Sequence, residues 1–488
     1  MLALEKKIYF PTKSCIGFDL TVFNYMDRII LFGLGGKLEY EKNKNQNIFD
    51  SLDVIAISDN NPNVWDTEYE EIRVIKPNSI VDYNFEYVVV LSKYYSEITS
   101  QLVEFGIPSE KIIHWDEFVV LNLHGYKTEY PSLLKNRSVK EVLMISTSLE
   151  INGGTNALIN AGIALDKNEY SVTICGPDAD DSVIEHINNR GLNVVIAPAI
   201  QYPNEKDIEW VKKYDYILVN TFQMLRTACL ISVERPIFWW IHENSEKYSD
   251  IYQRVRSINH KYKVEDYSNI IVCPVTKRAA KIFNDHYPSI KTNVLPLGVS
   301  DSYDCVRNNM TEEIKIAIIG SIELRKNQLF AIEILSEYGN NIELLIAGKV
   351  NDDDYSLKVK KLSREYSNIE LLGEMSSDEV KNLYHDIDIV LCPSLEETLS
   401  MTIIEGMMNK KLVITSDATG IADYIVDGEN GFVFKSGDAD SLREKIDIIL
   451  GEKADLEKIR ENARKTYLDN FTLEKVGERF EKMFEKIK

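Results

Sequence analysis

Short apolar runs, each closed by a glycine-bearing or polar turn and followed by a stretch with helical spacing of its apolar residues, recur along this chain in three blocks. Runs such as RIILFG, EVLMIS and IKIAIIG hold almost no polar residues, so they read as strands buried on both faces, and that requires helices over a parallel sheet. The expected fold class is therefore α/β with doubly wound sheets. At 488 residues the chain is too long for a single core, and two to four domains are expected.

The first block runs from RIILFGLGGK through LDVIAISDNNP and YVVVLSKYY and fades after KIIHWDEFVV, which sets a small Rossmann-like accessory domain at 1–122. A polar stretch, HGYKTEYPSLLKNRSVK, separates it from the next strand, so 123–138 reads as a linker. The second block, 139–302, opens on a strand, a Gly-Gly turn and an amphipathic helix in EVLMISTSLEINGGTNALINAGIAL. The third, 303–470, opens on IKIAIIGSIELRKNQ and carries ELLIAGKV, IDIVLCPS, KLVITS and GFVFKSGD as further strands. In the simplest arrangement these last two domains face one cleft, with 471–488 as a helix packed across both.

Composition narrows the function. Hydrophobic residues make up 44% and charged residues 27%, and no apolar stretch is long enough to cross a bilayer. MLALEKKIYFPTKSC has no long apolar core or small-residue cleavage site, so no signal peptide is expected. The six cysteines (Cys15, Cys175, Cys229, Cys273, Cys305, Cys392) form no CxxC pair, which fits a reduced cytoplasm better than disulfides or structural zinc. A net charge of -21 makes nucleic acid a poor partner. The local basic run RVRSINHKYK can touch the inner face of a membrane or an anionic acceptor, although a solvated helix face is the preferred reading.

Chemistry concentrates in PSLEETLSMTIIEGMM. Glu397 and Glu405, with seven residues between them, flank a loop that leads into a helix whose apolar positions are Met401, Ile404 and Met408. Unpaired amides and the positive end of the helix dipole favour an anion there, so a phosphate can dock against residues 399 to 402. Carboxylates beside a phosphate are poor ligands for it but good acceptors for the flanking hydroxyls of a ribose and a hexose. A chance pair on the surface of an acidic chain is the competing reading. Upstream, Arg325 and Lys326 lie at the expected start of a helix, where the dipole does not help cations, and two adjacent cations there can clamp a diphosphate.

Taken in order, GSIELRKNQ, ELLIAGKV, SSDEVKNLYHDIDIVLCPS, the Glu-x7-Glu segment and ATGIADYIVDGENGFVF resemble the retaining family 4 glycosyltransferases of the GT-B fold, over roughly 139 to 488. The resemblance implies two Rossmann-like domains facing a cleft, here preceded by a third small α/β domain. It implies that Glu405 binds the nucleotide ribose, Glu397 faces the transferred sugar, and Arg325 and Lys326 grip the diphosphate together with the amides of Leu399, Ser400 and Met401. It further implies that Gly153 and Gly154 pass close to the donor phosphates and that His242, in WWIHENSEKY, faces the donor sugar. Glycine suits such an approach because it has no side chain in the way. Two departures bear on donor binding: Ser321 follows Gly320 where many members carry arginine, and Thr398, Leu399 and Ser400 replace a commoner Gly-Phe-Gly run.

No cofactor or metal is expected. Asp386-Ile-Asp388 and the run Asp352 to Asp354 imitate acidic metal motifs but read as structural or solvated, and the resemblance implies that positive side chains replace a cation. The first block holds a partial dinucleotide fingerprint, GLGGK with Asp59 26 residues beyond Gly33, whose third glycine is missing. The run ISDNNP, followed by VIKPNSI and QLVEFGIPSEKII, also resembles small nucleotide-binding domains fused to sugar-modifying acyl- and methyltransferases, and a regulatory, assembly or acceptor-handling role is expected for this block, with oligomer or partner contacts made through it. The expected activity is retaining transfer of a hexose or N-acetylhexosamine from a nucleotide diphosphate sugar, with uridine favoured, to a glycan, lipid-carrier or protein acceptor in cell-surface glycoconjugate synthesis. A turnover-less scaffold subunit and a sugar-nucleotide epimerase are the alternatives.

Overall fold

The computed structural model describes residues 28–44, 49, 52–92, 94–118, 129–132, 139–150, 153–165, 169–243, 251–303, 313–351, 353–451 and 455–487. The chain divides into two compact units, 1–123 and 124–488. Each apolar run foreseen as a strand that falls within these residues lies in a sheet.

Unit 1 is one six-stranded sheet in the order β3-β4-β2-β1-β5-β6. Its strands are β1 (Arg28–Phe32), β2 (Asp53–Ser58), β3 (Glu68–Tyr69), β4 (Ile72–Ile75), β5 (Tyr87–Val90) and β6 (Ile112–His114). All pair in parallel except the short edge pair β3 and β4. Helix α1 (Gly36–Lys44) follows β1, and α2 (Tyr95–Glu104) follows β5. The side of the sheet facing α2 buries Ile30, Phe32, Ala56, Val88 and Val90 against Ile98 and Leu102.

Unit 2 holds two sheets. The first runs β13-β12-β11-β8-β9-β10-β7, from β7 (Glu129–Ser132), β8 (Lys140–Ile145), β9 (Tyr170–Gly176), β10 (Asn193–Ile196), β11 (Tyr216–Asn220), β12 (Ile237–Ile241) and β13 (Ile270–Pro274). Its helices are α3 (Gly153–Ala164), α4 (Asp181–Asn188), α5 (Leu225–Ser232), α6 (Ile251–Ile258) and α7 (Lys277–His286). Within the stretch read as a linker, β7 adds an antiparallel edge to β10. Pro131 has no N–H to donate, and an edge strand tolerates that. The second sheet is fully parallel in the order β16-β15-β14-β17-β18-β19. It comprises β14 (Ile314–Ile319), β15 (Ile342–Ala347), β16 (Ile369–Gly373), β17 (Ile389–Cys392), β18 (Leu412–Ser416) and β19 (Phe432–Phe434). Its helices are α8 (Gln328–Leu335), α9 (Asp354–Leu362), α10 (Ser377–Asp386), α11 (Met401–Met408), α12 (Ala439–Leu450) and α13 (Leu456–Asn470).

The last helix, α14 (Leu473–Glu485), returns to the first sheet of unit 2. Every third or fourth residue of it is apolar, and Val476, Phe480, Met483 and Phe484 are buried. The Phe484 ring stacks on Tyr216 at 4.0 Å between centroids, and Phe480 meets Trp240 at 5.9 Å. Gly477 is required where the helix crosses α3, because a Cβ there would lie 2.3 Å from the Ala164 carbonyl oxygen. Among the described residues no helix is long and apolar enough to cross a membrane.

Phe484→Ala is expected to destabilise unit 2 by about 3 to 5 kcal/mol, the usual cost of emptying a fully packed aromatic site, read as a lowered denaturant midpoint.

Candidate functional site

The third block's first turn and its Glu-bearing loop meet at the C-terminal edge of the second sheet. β14 leads into Gly320, whose φ of +144° is a conformation that favours glycine. Gly348, after β15, passes so close that a Cβ there would overlap the Gly320 carbonyl oxygen at 1.9 Å. The chain then forms a 3-10 turn, Leu324–Lys326, and only after Asn327 (φ 58°) does α8 begin. Arg325 and Lys326 therefore lie in the turn that precedes the helix rather than in its first turn.

This turn is fastened to the loop after β17. The Leu395 amide donates to the Arg325 carbonyl at 2.8 Å, and Asn327 Nδ2 donates to the Pro393 carbonyl at 3.3 Å. Arg325 Nη1 donates to Glu397 Oε2 at 2.9 Å and to the Glu396 carbonyl at 3.0 Å, while Nη2 reaches Glu323 Oε1 at 2.6 Å. Lys326 Nζ closes on the same Oε2 of Glu397. The Glu397 side chain is only 15% exposed. Burial alone raises its pKa, but Lys326 and Arg325 outweigh burial and hold it below the ordinary carboxylate value. It is thus a charged group whose Oε2 is committed and whose Oε1 is in none of these bonds.

Glycine also shapes the other side of the loop. The Gly420 amide donates to the Glu397 carbonyl at 3.0 Å, and a Cβ on Gly420 would sit 1.9 Å from the Thr398 carbonyl oxygen. Leu399 is buried in the core, and Ser400 is the N-cap of α11 without capping it by its side chain. The opening amides of α11, from Met401 on, are left without a side-chain cap, a setting that favours an anion.

Glu405 lies one turn into α11 and accepts from the Tyr384 hydroxyl of α10 at 2.7 Å. Burial raises its pKa, against the opposing effect of that hydrogen bond. The first sheet contributes His242, just past β12, whose carbonyl accepts from Thr398 Oγ1 at 2.6 Å and so ties it to the Glu397 loop. Its ring lies edge-on to Trp240 at 4.6 Å, its Nε2 is enclosed without a partner, and burial pushes its pKa down to about 3, so the imidazole is neutral. Next to it, the Glu243 carboxylate accepts from the amides of Phe222 at 2.8 Å and His242 at 3.1 Å, and burial pushes its pKa up to about 7 against those amides.

Arg325, Lys326 and Glu397 are brought into one cluster, and His242 joins it through Thr398. Glu405 stands in the helix behind the loop, and Gly153 and Gly154 head α3 at the C-terminal edge of the first sheet. Sequence reasoning missed Tyr384, Glu243 and Gly420, and named Thr398 only as a departure in the loop. Gly420 alone carried a signal, as the lone glycine of ATGIADY. In the acidic runs, Asp353 caps α9 through the Ser356 amide at 2.9 Å, and Asp388 takes the Lys315 amide at 3.0 Å. Asp352 lies outside the described residues.

Residues 138–306 match the family model described as glycosyl-transferase family 4, and 304–466 the one described as glycosyl transferases group 1. Residues 25–113 match "C2185-like, N-terminal". Among solved structures, a glycosyltransferase from Rickettsia africae ESF-5 superposes with a TM-score of 0.59 at 21% identity, over 72% of this chain and 99% of that one. Anabaena HepE in complex with UDP-glucose does so at 0.58 and 16%, over 71% and 99%. The superpositions show the GT-B fold, built here on two mainly parallel sheets, and the two family models show a glycosyltransferase. Within that class the chain belongs to family 4.

A lipopolysaccharide 1,2-N-acetylglucosaminetransferase of Salmonella typhimurium is 25% identical over 269 residues, 49% of this chain and 70% of that protein. The Staphylococcus aureus capsular polysaccharide biosynthesis glycosyltransferase CapM is 26% identical over 160 residues, and the match spans only 40% of its length.

The two neighbours should separate in pH dependence. The folded pKa of His242 lies below its unfolded value, so its contribution is full above about pH 6.5 and is lost on acidification. That of Glu243 lies above, so its contribution is full below about pH 4.5 and is lost as pH rises through 7. Between pH 7 and pH 5, His242→Gln should lose about 1 to 2 kcal/mol less stability than the parent, and Glu243→Gln should lose more than the parent, in denaturant titrations at the two pH values.

Proposed function

We propose that the protein transfers a hexose or N-acetylhexosamine, with retained anomeric configuration, from a nucleotide diphosphate sugar, most readily a uridine one. The observation that carries this reading is the convergence of Arg325 and Lys326 on Glu397, in the loop that leads into the uncapped start of α11. Both cations and the opening amides of the helix then face the diphosphate and stabilise charge growing on it as a leaving group. Glu405, behind the loop, accepts the ribose hydroxyls, and Glu397 Oε1 and the neutral His242 ring hold the sugar. Gly153 and Gly154 leave room for the phosphates on the opposite side.

In this reading the bond from C1 to the diphosphate oxygen breaks and the bond from the acceptor oxygen to C1 forms on the same face. The acceptor's proton passes to the departing phosphate oxygen. Arg325 and Lys326 supply the positive charge, so no metal ion is required. The Anabaena structure holds UDP-glucose, and the Salmonella and Staphylococcus relatives are named for lipopolysaccharide and capsule synthesis. These support a uridine donor and a glycan or lipid-linked acceptor at the cytoplasmic membrane face, with a protein acceptor as the remaining class.

Lys326→Ala is expected to lower kcat about 10²- to 10³-fold, as for removal of one transition-state donor, and Glu405→Ala to raise the donor KM about tenfold or more. Wild-type rates in both variants, assayed with UDP-sugars, would overturn the assignment. Transfer should persist unchanged in EDTA, and analysis of the product should give the donor's anomer.

A further inference from the structure

Unit 1 contains a cleft of about 580 Å³ that the proposed transfer does not use. Its walls come from the turn after β1, the tip of β2 at Asp59 and Asn60, and the segment from Leu91 into α2. In the strand order β3-β4-β2-β1-β5-β6, the connection leaving β1 runs toward β2 and the one leaving β5 runs toward β6 on the other side. The two loops part between β1 and β5, and in open α/β sheets such a reversal opens a ligand crevice at the C-terminal strand ends.

The lining divides into three kinds of surface. Phe32, Leu34, Leu38, Leu91 and Ile98 make an apolar wall suited to a flat ring. The turn itself is bare: Gly33 has φ +117°, and a Cβ on Gly35 or Gly36 would meet nothing within 4 Å. The amides of Gly36 and Lys37 open α1 and have no intrahelical acceptor, and the Lys37 ammonium stands beside them, 3.7 Å from Asp116. Asp59 sits at the tip of β2, its Oδ2 taking the Leu34 amide at 2.6 Å and its Oδ1 the Asn61 amide at 2.7 Å, which holds the carboxylate rigid with further lone pairs for hydroxyls. A separate observation comes from Ser58. It is fully buried, its hydroxyl has no partner, and it is the register partner of Phe32 and the chain neighbour of Asp59, both of which line the cleft.

We propose that this cleft is a second nucleotide site, for a nucleoside mono- or diphosphate, with the base on the apolar wall, the ribose at Asp59 and the phosphate at the head of α1 beside Lys37. Dinucleotides do not fit. Leu38, 2% exposed, occupies the place of the third fingerprint glycine and holds α1 off the strand, and beyond β5 the sheet has a single strand, too little for a second nucleoside half. Glu97 on the α2 wall works against a triphosphate. The site is thus built to sense a nucleotide, such as the product of a nucleotide-sugar reaction, apart from the donor site.

The test is hydrogen exchange and calorimetric titration of the full chain with UDP, ADP, GDP and CMP, with inorganic phosphate as control. At least one nucleotide should slow exchange at residues 33–38 and 94–101, in the parent and equally in Lys326→Ala. Gly35→Val, which projects a branched side chain into open space without a clash, should weaken that binding at least tenfold and leave any protection at 399–405 unchanged. Asp59→Ala should do the same, and because it also frees the Leu34 amide, Gly35→Val is the deciding variant. No protection at 33–38 by any of the four nucleotides, or a loss below tenfold in Gly35→Val, overturns the inference. Protection at 33–38 without any at 399–405 instead upholds it and counts against the donor-site reading.

Discussion

A mostly buried carboxylate held by two cations organises the candidate site. Glu397 is removed from water at a cost of several kcal/mol, and only the close approach of Arg325 and Lys326 offsets it. That requirement pins a turn after β14 to a loop after β17, about 70 residues later in the chain. The backbone bond from Leu395 to Arg325 follows, and so does the placement of two positive groups on the loop that leads into the uncapped start of α11. Gly320, Gly348 and Gly420 are the backbone conditions for this: Gly320 supplies a positive φ, and Gly348 and Gly420 each let two main chains come closer than any side chain allows.

The first sheet of unit 2 answers with the opposite kind of chemistry. His242 is kept neutral by enclosure, and its main chain, through Thr398, fixes where the Glu397 loop meets that domain. Glu243 takes the amides that open the next turn, so the strand end carrying His242 is anchored from behind. A charged cluster on one domain and a neutral polar group on the other is an arrangement suited to a ligand with an anionic part and a hydroxyl-rich part. Unit 1 repeats the α/β plan on a smaller scale, with its own crevice where the strand order reverses.

Much of this was legible in the chain. The uninterrupted apolar runs marked strands because a parallel sheet covered on both faces excludes polar residues from them. The spacing of Met401, Ile404 and Met408 marked α11, and the Arg-Lys pair and the two glutamates stood out because charge at those places needs a reason. Tyr384 and Glu243 gave no such mark, and Thr398 stood out only as a departure from a commoner loop. Their partners lie 21 residues away for Tyr384 and 156 for Thr398, so no local period or charge conflict reveals them. The edge strand β7 was hidden for a related reason: four residues with a proline are too short and too irregular to show a period, and only pairing with β10 makes them a strand.

By itself the sequence determined the α/β class, the order of the elements and the two ends of the candidate site, because burial pattern, helix periodicity and glycine turns are local consequences of backbone sterics and hydrophobicity. The tertiary structure decided which charges meet. That Arg325 and Lys326 share one oxygen of Glu397, that Tyr384 stands on Glu405, and that His242 is neutral and tied to Thr398 all depend on distances between segments far apart in the chain. Electrostatic coupling and desolvation are set by those distances and by enclosure, and neither exists until the sheets have packed.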